Sequence, residues 1–355
     1  MTKQKEARCI EIDGRKIGPD HPPYVIAEMS GNHNRDISRA FGLIDAAKES
    51  GADAVKLQTY TADTITIDHD GPGFTLEGGL WDGRKLYDLY EEANTPWEWH
   101  KELFEHAKSV GITVFSSPFD FTAIDFLEEL GAPAYKIASF EAMDIPLVKK
   151  AASTGKPVII SIGVSSLAEA AETVDAVREC GNDQICLLHC VSAYPSRPED
   201  ANLATIPHLG EAFDVVVGLS DHSPGTALPS AAVALGAAVI EKHVTLARSD
   251  GGPDSAFSLE PNELTRLVED TRAAWAAKGK VNYGVKGEDE ARMGRLRRSL
   301  YVVEDVAAGE PLTESNVRSI RPGYGLKPKF LPDVLGRTAR RALKRGEPLS
   351  WDLLG

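Results

Sequence analysis

Eight short apolar runs, each followed by a segment with helical spacing of apolar residues, alternate along the first 280 residues. This alternation is typical of parallel βα units, because a crossover helix must return the chain before the next parallel strand begins. Eight units in one stretch predict an α/β fold of the (β/α)8 TIM-barrel type. A doubly wound open sheet is the alternative, although such sheets usually have fewer strands and no Gly-x-Gly-x-x-Gly turn follows the first run. The predicted strands are residues 24–27, 54–57, 113–115, 134–137, 158–160, 185–188, 215–219 and 238–240, preceded by a predicted hairpin around Asp13-Gly14.

A change of composition near residue 280 ends the barrel pattern. Residues 281–294 are polar and charged, and Gly284 and Gly287 favour a linker there. We therefore predict a barrel domain with its N-terminal hairpin over residues 1–280, a linker over 281–297 and a small C-terminal domain over 298–355. The sequence of residues 309–313 recurs in similar form at 346–350, which predicts two similar turn units in the small domain.

The charge balance restricts the possible partners. With 39 Lys and Arg against 53 Asp and Glu, the net charge is -14, so neither nucleic acid nor a membrane surface is an expected partner. An anionic substrate would need a locally basic pocket. The 4 cysteines lack disulfide or zinc spacing and predict reduced thiols. Residues 1–8 are polar and no apolar run is long enough to span a bilayer, which predicts a cytoplasmic protein.

Polar residues of catalytic types follow nearly every apolar run. In a (β/α)8 barrel the carboxyl ends of the strands meet on one face, where active sites lie, so these side chains would form one ring. Any single serine among them is more simply explained as a cap of a strand or loop. Residues 59–95, after the second run, are too many for an ordinary βα loop and predict a functional loop. The ring would contain Glu28, Lys56, Gln58, Ser116, Ser117, Lys136, Ser139, Ser161, His189, Ser192, Ser220, Asp221, His222, Glu241, Lys242 and His243.

Two lysines and two histidines of this ring indicate the chemistry. Lys56 and Lys136 lie inside apolar runs, and a lysine is rarely buried unless an anion answers its charge. Beside the serines they would cradle a phosphate and a carboxylate, or one of them would form a Schiff base, as in aldolases. His222 and His243 end neighbouring strands, where they would bind one divalent ion or simply form hydrogen bonds within loops. Because no third ligand is evident, the predicted metal site is an open one, suited to Lewis-acid chemistry.

These residues lie in motifs by which the chain resembles the sialic acid synthase family, the phosphoenolpyruvate-dependent nonulosonate synthases. The similarity covers nearly the whole chain. The family motifs are Ile26-Ala27-Glu28, Asn32-His33-Asn34, Lys56-Leu57-Gln58-Thr59, Phe115-Ser116-Ser117-Pro118-Phe119, Tyr135-Lys136-Ile137-Ala138-Ser139, Gly218-Leu219-Ser220-Asp221-His222 and Glu241-Lys242-His243. A second set is similar to the pseudaminic acid synthase branch, namely Gly79-Leu80-Trp81-Asp82, Leu86-Tyr87-Asp88-Leu89-Tyr90, Thr95-Pro96-Trp97-Glu98-Trp99-His100 and residues 321–330. Ser192 replaces the asparagine usual in N-acetylneuraminate synthases, which agrees with that branch.

The resemblance implies a barrel followed by an antifreeze-like (SAF) domain, a domain-swapped homodimer and a transferase that joins phosphoenolpyruvate to an N-acylated amino sugar. For this branch the sugar is 2,4-diacetamido-2,4,6-trideoxy-altrose, and the products are pseudaminic acid and phosphate. N-acetylneuraminate and legionaminic acid synthases are the nearest alternatives; a Schiff-base aldolase and a carbohydrate-binding protein are remoter ones.

The resemblance also assigns roles to residues of the ring. It implies a divalent metal, Mn2+ with Mg2+ or Co2+ as alternatives, held by His222 and His243, with Glu28 beside them at the reacting centre. Arg321 would reach from one subunit into the barrel of the other. The residues implied to bind phosphoenolpyruvate are Lys56, Ser117, Lys136, Ser139, Ser161 and Ser220, and those implied to face the sugar are Gln58, Tyr194, Asp254 and Arg321.

Overall fold

The computed structural model describes residues 8–355, which form two compact units divided between Gly279 and Lys280. Residues 1–7 of the predicted barrel domain, with most of its polar N-terminal segment, lie outside the described residues. The predicted linker, 281–297, falls within the second unit and contains a short helix. No helix in the range 8–355 has both the length and the apolar character needed to cross a membrane.

Eight parallel strands close into a barrel, which confirms the predicted fold. Each observed strand coincides with a predicted run, and seven of the eight extend one to three residues further at the carboxyl end, where the polar residues lie. The first barrel strand pairs with the last, so the sheet has no free edge. The barrel strands are β3 (Tyr24–Glu28), β4 (Ala54–Thr59), β5 (Thr113–Pro118), β6 (Tyr135–Ile137), β7 (Val158–Ser161), β8 (Ile185–Cys190), β9 (Val216–Asp221) and β10 (Val239–His243), preceded in the chain by β1 (Ile10–Ile12) and β2 (Arg15–Ile17).

Helices connect the barrel strands and cover the outside of the sheet. Their N-termini are fixed by side-chain caps: Asp36, Asp120 and Asp144 each accept hydrogen bonds from backbone N–H groups of the first turn. Ser166 and Glu169 form a capping box. The helices of the barrel unit are α1 (Ile37–Glu49), α2 (Ala62–Ile65), α3 (Leu86–Ala93), α4 (Trp97–Val110), α5 (Phe121–Glu129), α6 (Ile145–Ala152), α7 (Leu167–Glu179), α8 (Thr205–Phe213), α9 (Ala227–Ala234) and α10 (Pro261–Lys278).

Two apolar layers hold the barrel. The larger lies between the strands and the helices, and the smaller fills the barrel interior near the amino ends of the strands. The predicted hairpin, β1 with β2, contributes Ile10, Ile12 and Ile17 to the interior layer and thereby closes that end. Gly218 permits a close approach of neighbouring strands, because a Cβ there would collide with the backbone oxygen of Val239. The apolar interior therefore leaves only the opposite, carboxyl end for a polar site.

The second unit has a small core of its own. Its strands β11 (Ser299–Val302) and β12 (Val317–Ile320) pair antiparallel, and its helices are α11 (Glu288–Met293) and α12 (Leu331–Val334). The predicted sequence repeat corresponds to two related turns: Glu310 accepts a hydrogen bond from the N–H of Ala307, and Glu347 accepts one from the N–H of Lys344. Both turns pack their leucines, Leu312 and Leu349, into this core. The repeated sequence therefore forms two turns that support the core of this unit.

Candidate active site

Inward-facing side chains change from apolar to polar along each barrel strand. In β4, for example, Ala54 lies in the interior core, and the next two positions on the same face are Lys56 and Gln58. Ile26 and Glu28 stand in the same relation in β3. This alternation brings most of the predicted residues into one ring at the carboxyl end, namely Glu28, Lys56, Gln58, Ser117, Lys136, Ser161, Ser220, His222 and His243.

Two lysines and two glutamates form a buried ionic network within the ring. The Nζ atom of Lys56 lies 3.1 Å from Oε2 of Glu28 and 3.1 Å from Oε1 of Glu241. The Nζ atom of Lys136 lies 3.8 Å from the same oxygen of Glu241 and donates a hydrogen bond to the backbone oxygen of Ile137. Gln58 donates a 2.8 Å hydrogen bond to Oε1 of Glu28. The charges of both lysines are therefore balanced by carboxylates of the protein. A substrate anion that binds these lysines would lie beside Glu28 and Glu241.

Burial shifts the pKa values in this network in different directions. It raises the pKa of Glu28 to about 7, with a further contribution from Glu241, and Lys56 opposes the shift. It lowers the pKa of Lys136 to about 8 against the attraction of Glu241. Burial alone would also raise the pKa of Glu241, but the charges of Lys136 and Lys56 hold it below its ordinary value. Glu28 and Lys136 are thus the members whose protonation can change near neutral pH.

The serines of the ring differ in their hydrogen bonding. The hydroxyl oxygens of Ser117 and Ser161 are buried and make no hydrogen bond within the described part of the chain. Buried hydroxyls are usually paired, so these two groups are available to hydrogen-bond a polar ligand in this site. Ser220 donates to Glu241 at 3.2 Å, and Ser139 accepts a hydrogen bond from the N–H of Gly163.

The two predicted metal-binding histidines lie side by side, with ring centroids 5.3 Å apart. Nδ1 of His222 is 3.0 Å from the backbone oxygen of Val191, and because a carbonyl only accepts, this nitrogen carries the hydrogen. Nδ1 of His243 is 3.3 Å from Oγ of Ser30 and 3.6 Å from Oδ2 of Asp254. Both rings are therefore held through Nδ1, which leaves Nε2 as the nitrogen available to a ligand.

This arrangement fits an open divalent-metal site. Ligating imidazoles usually use their second nitrogen for a hydrogen bond with a carbonyl or carboxylate, as His222 does. In His243 the partner is the hydroxyl of Ser30, and the carboxylate of Asp254 lies 3.6 Å away.

Burial, followed by the charge of His222, lowers the pKa of His243, which keeps its imidazole neutral as metal binding requires. Burial also acts to lower the pKa of His222, but Cys190, Val191 and Asp221 outweigh it and the pKa is raised, so a cation would have to displace a proton from this ring more often than from His243. Within residues 8–355 no group of three or more His, Cys, Asp or Glu side chains is placed to hold a metal. Water and substrate would have to complete the coordination shell.

A cavity of about 550 Å³ adjoins the ring. Three of the four residues predicted to face the sugar, Gln58, Tyr194 and Asp254, line it together with Glu141 and Trp81. The ring of Tyr194 packs against His222, with centroids 4.4 Å apart, so one wall of the cavity contacts the histidine pair, although neither histidine lines the cavity itself. A larger depression at the amino ends of the strands, about 650 Å³, contains none of the predicted site residues.

Arg321, the fourth residue predicted to face the sugar, lies in the second unit. It directly follows β12, its side chain is exposed, and no ion pair joins it to another of the described residues. Four further side chains belong to the site without a role that the sequence predicts: Glu241 pairs with Lys56, Cys190 and Phe257 contact His222, and Glu141 lines the cavity. Glu241 and Cys190 could have been assigned from the two-residue period of their strands, whereas Glu141 and Phe257 lie in short helical turns where no such period exists.

A closed barrel with an apolar floor and a ring of ionisable residues at the carboxyl ends of its strands defines a (β/α)8-barrel enzyme. The chain belongs to the NeuB family, which matches residues 43–283, and a SAF domain matches residues 297–355.

Similarity to individual proteins extends over most of the chain. The pseudaminic acid synthase of Helicobacter pylori is 46% identical over 93% of this chain and 97% of its own. The N,N'-diacetyllegionaminic acid synthase of Legionella pneumophila is 35% identical over 93% of this chain and 94% of its own. Among solved structures, an N-acetylneuraminic acid synthetase from Leptospira borgpetersenii superposes with a TM-score of 0.72 at 31% identity, covering 82% of this chain and 97% of that one.

Proposed function

We propose that this chain is a pseudaminic acid synthase, a cytoplasmic transferase that condenses phosphoenolpyruvate with 2,4-diacetamido-2,4,6-trideoxy-altrose and water. The products are pseudaminic acid and phosphate. The observation that carries the proposal is the buried ring in which two lysines and two unpaired serine hydroxyls, those of Ser117 and Ser161, adjoin the histidine pair. The 46% identity to a relative of that name supports the choice of sugar.

In this proposal phosphoenolpyruvate lies over the lysines. Lys56 and Lys136 supply the positive charge that a phosphate and a carboxylate need in a dry site. The unpaired hydroxyls of Ser117 and Ser161 donate to its oxygens, and Ser139 and Ser220 complete the binding set. When Glu28 takes up a proton it no longer balances the charge of Lys56, and the bound substrate anion then balances it instead. Binding of phosphoenolpyruvate and protonation of Glu28 are therefore linked.

The open-chain sugar occupies the adjoining cavity with its aldehyde at the histidine pair. Gln58, Tyr194 and Asp254 contact it from the cavity wall. His222 and His243 would hold a divalent cation such as Mn2+, which would supply Lewis-acid polarisation of the aldehyde oxygen.

The reaction then needs one carbon–carbon bond and one carbon–oxygen cleavage. C3 of phosphoenolpyruvate bonds to the aldehyde carbon, water adds to C2, and phosphate leaves with the bridging oxygen. Glu28, whose pKa is raised to about 7 by burial, populates both protonation states near neutral pH. It can therefore accept a proton from the attacking water and return one to the sugar oxygen.

A homodimer with exchanged small domains completes each site in this proposal. Arg321 of one chain then contacts the N-acyl group of the sugar bound in the other barrel. A guanidinium suits this role, because its planar fork holds a carbonyl oxygen in a fixed direction. Its exposure and its lack of an ion-pair partner among residues 8–355 are compatible with such a contact.

A Schiff-base aldolase is the second candidate, since burial lowers the pKa of Lys136 to about 8 and a neutral amine is nucleophilic. Borohydride added during turnover separates the two. The synthase leaves the protein mass unchanged, whereas an aldolase gains the mass of the reduced substrate on a lysine.

Product analysis tests the proposed reaction itself. Phosphoenolpyruvate carrying heavy oxygen in its bridging position is incubated with the sugar, enzyme and Mn2+. We expect pseudaminic acid by mass spectrometry and NMR, with the label in the released phosphate. Label retained in the sugar acid would contradict cleavage of the carbon–oxygen bond.

A further inference from the structure

We propose that Lys242 is a positioning residue, whose buried ammonium group fixes the separation of His222 and His243 and so sets the affinity of the site for a divalent cation. This inference rests on the proposed function, since it concerns the cation that the two histidines would hold. Lys242 is a predicted member of the ring, but the alternation of side chains along β10 places it on the opposite face from Glu241 and His243. Its role is therefore an indirect one.

The ammonium group of Lys242 contacts the residues on both sides of His222. Its Nζ atom lies 2.6 Å from Oδ2 of Asp221, which precedes the histidine, and donates a hydrogen bond to the backbone oxygen of Ser223, which follows it. Asp221 in turn accepts hydrogen bonds from the backbone N–H and the hydroxyl of Ser223, at 2.9 and 3.0 Å. All three side chains are buried. The residue that directly precedes His243 therefore holds the chain before and after His222.

The regular pairing of the two strands ends where these contacts begin. The register of β9 with β10 ends at the pair of Asp221 and Lys242, and each histidine directly follows its member of this last pair. Lys242 reaches two residues further along the chain than Asp221, to Ser223. Its side chain thus joins the two chain segments at the level of the histidines, beyond the last pair of the register.

A fixed separation matters here because the site has few protein ligands. Within residues 8–355 no group of three or more His, Cys, Asp or Glu side chains is placed to hold a metal, so two imidazoles would supply the protein's share of the coordination. The hydrogen bonds at Nδ1 orient each ring, through Val191 for His222 and through Ser30 for His243, but neither of them joins β9 to β10. Residues that support metal ligands typically change metal affinity by about 10- to 100-fold.

The test measures the Kd of Mn2+ for metal-stripped enzyme by electron paramagnetic resonance, at a temperature where circular dichroism shows each variant to be folded. We expect Lys242→Met to raise this Kd by about 10- to 100-fold. Activity at saturating Mn2+ should return towards the wild-type value and KM for phosphoenolpyruvate should stay unchanged, because Lys242 contacts neither substrate in the proposed site.

A second variant separates positioning from stability. Lys242→Met leaves Asp221 as an unpaired buried charge, whereas Lys242→Met combined with Asp221→Asn leaves no charge there. The double variant should therefore regain part of the lost free energy of unfolding but keep the raised Kd for Mn2+. Arg15→Met is the matched control, because it removes an ion-pair partner of another buried carboxylate, that of Asp53, which lies at the amino end of β4. Its Kd for Mn2+ should equal the wild-type value.

Each outcome distinguishes the positioning role from the reaction. Wild-type Kd values in folded Lys242→Met and in the double variant would overturn the positioning role and leave the proposed function intact, and so would an equal increase in Arg15→Met. A wild-type enzyme that binds Mn2+ no more tightly than His222→Ala would overturn the metal site and the positioning role with it. Mn2+ binding that depends on Lys242, without formation of product, would overturn the proposed reaction and support the positioning role.

Discussion

Lys136 is a lysine of the ring whose charge changes near neutral pH. Burial lowers its pKa to about 8, so the lysine is charged below that pH and neutral above it. In the proposed site this charge binds phosphoenolpyruvate, and kcat/KM for that substrate should therefore decline as pH rises through about 8. The measurement is a pH profile of kcat/KM at saturating sugar.

Two variants check this assignment. Lys136→Arg keeps its charge at all accessible pH values and should lose the decline above pH 8, even if its overall rate is lower. Lys136→Ala should raise KM for phosphoenolpyruvate selectively. An unchanged KM for phosphoenolpyruvate with a raised KM for the sugar would show that the lysine serves the other substrate.

His222 tests the metal proposal. Chelation should abolish turnover and Mn2+ should restore it, and His222→Ala should lose activity by more than about 100-fold, since even supporting residues of metal sites matter to that extent. The variant should keep its melting temperature, because residues at the carboxyl ends of barrel strands contribute mainly to activity. Full activity of metal-stripped enzyme would refute the metal, and a collapsed melting temperature would indicate a structural histidine.

Much of the ring could be predicted at this scale, because a strand has a two-residue period. Once Lys56 and His243 are placed on the inner face, Gln58 and Glu241 are predicted to lie on that face too, because each is two positions away in the same strand. The sequence could not reveal which residues form ion pairs with one another. The pairing of Lys56 with Glu28 and Glu241 joins three strands, and such a contact depends on barrel closure.

At the scale of elements, one buried ion pair joins the two strands that carry the histidines. Lys242 of β10 lies 2.6 Å from Asp221 of β9, with side chains 0% and 3% exposed, and the two residues are paired in the strand register. Lys242→Met should leave Asp221 buried without its partner and reduce the free energy of unfolding by about 3–5 kcal/mol. Denaturant unfolding monitored by circular dichroism measures this loss.

An exposed ion pair provides the control for that variant. Lys149 and Glu179 lie 2.7 Å apart with side chains 44% and 65% exposed, and Lys149→Met should change stability little. Similar losses in the two variants would mean that burial is not what makes the Lys242 pair important.

The elements themselves were largely predictable, since apolar runs and helical spacing are local signals. The eight strands were predicted at their observed positions, but the carboxyl ends of seven of them were placed too early, because the polar residues that end them interrupt the apolar pattern. The fold of the long loop was not predictable. Its tip is held by the hydrogen bond from Trp81 to Pro253, a contact across 172 positions of sequence.

At the scale of the whole molecule, Arg321 tests whether one site needs two chains. Arg321→Ala and Glu28→Ala enzymes should each be inactive, but mixed dimers would contain one site in which both residues are intact. Mixing them under conditions of subunit exchange should therefore restore part of the activity. No recovery, with exchange demonstrated by differently tagged chains, would place the arginine in its own barrel or outside the mechanism.

The division into two units was visible in the sequence as a change from apolar periodicity to a charged segment, and the boundary lies between Gly279 and Lys280. A role for Arg321 was not visible in the same way. An exposed arginine after a strand has the same local pattern whether it faces solvent or a second chain, and only the family resemblance suggested the latter.

The most direct test of the account is the rate of phosphate release from phosphoenolpyruvate with three sugars, supplied singly with Mn2+. They are 2,4-diacetamido-2,4,6-trideoxy-altrose and the corresponding precursors of legionaminic acid and N-acetylneuraminate. We predict that the altrose derivative gives the highest kcat/KM by at least about 10-fold, consistent with the discrimination that a shaped pocket can provide. A higher kcat/KM with either of the other sugars, or no phosphate release with any of them, would contradict the proposed function.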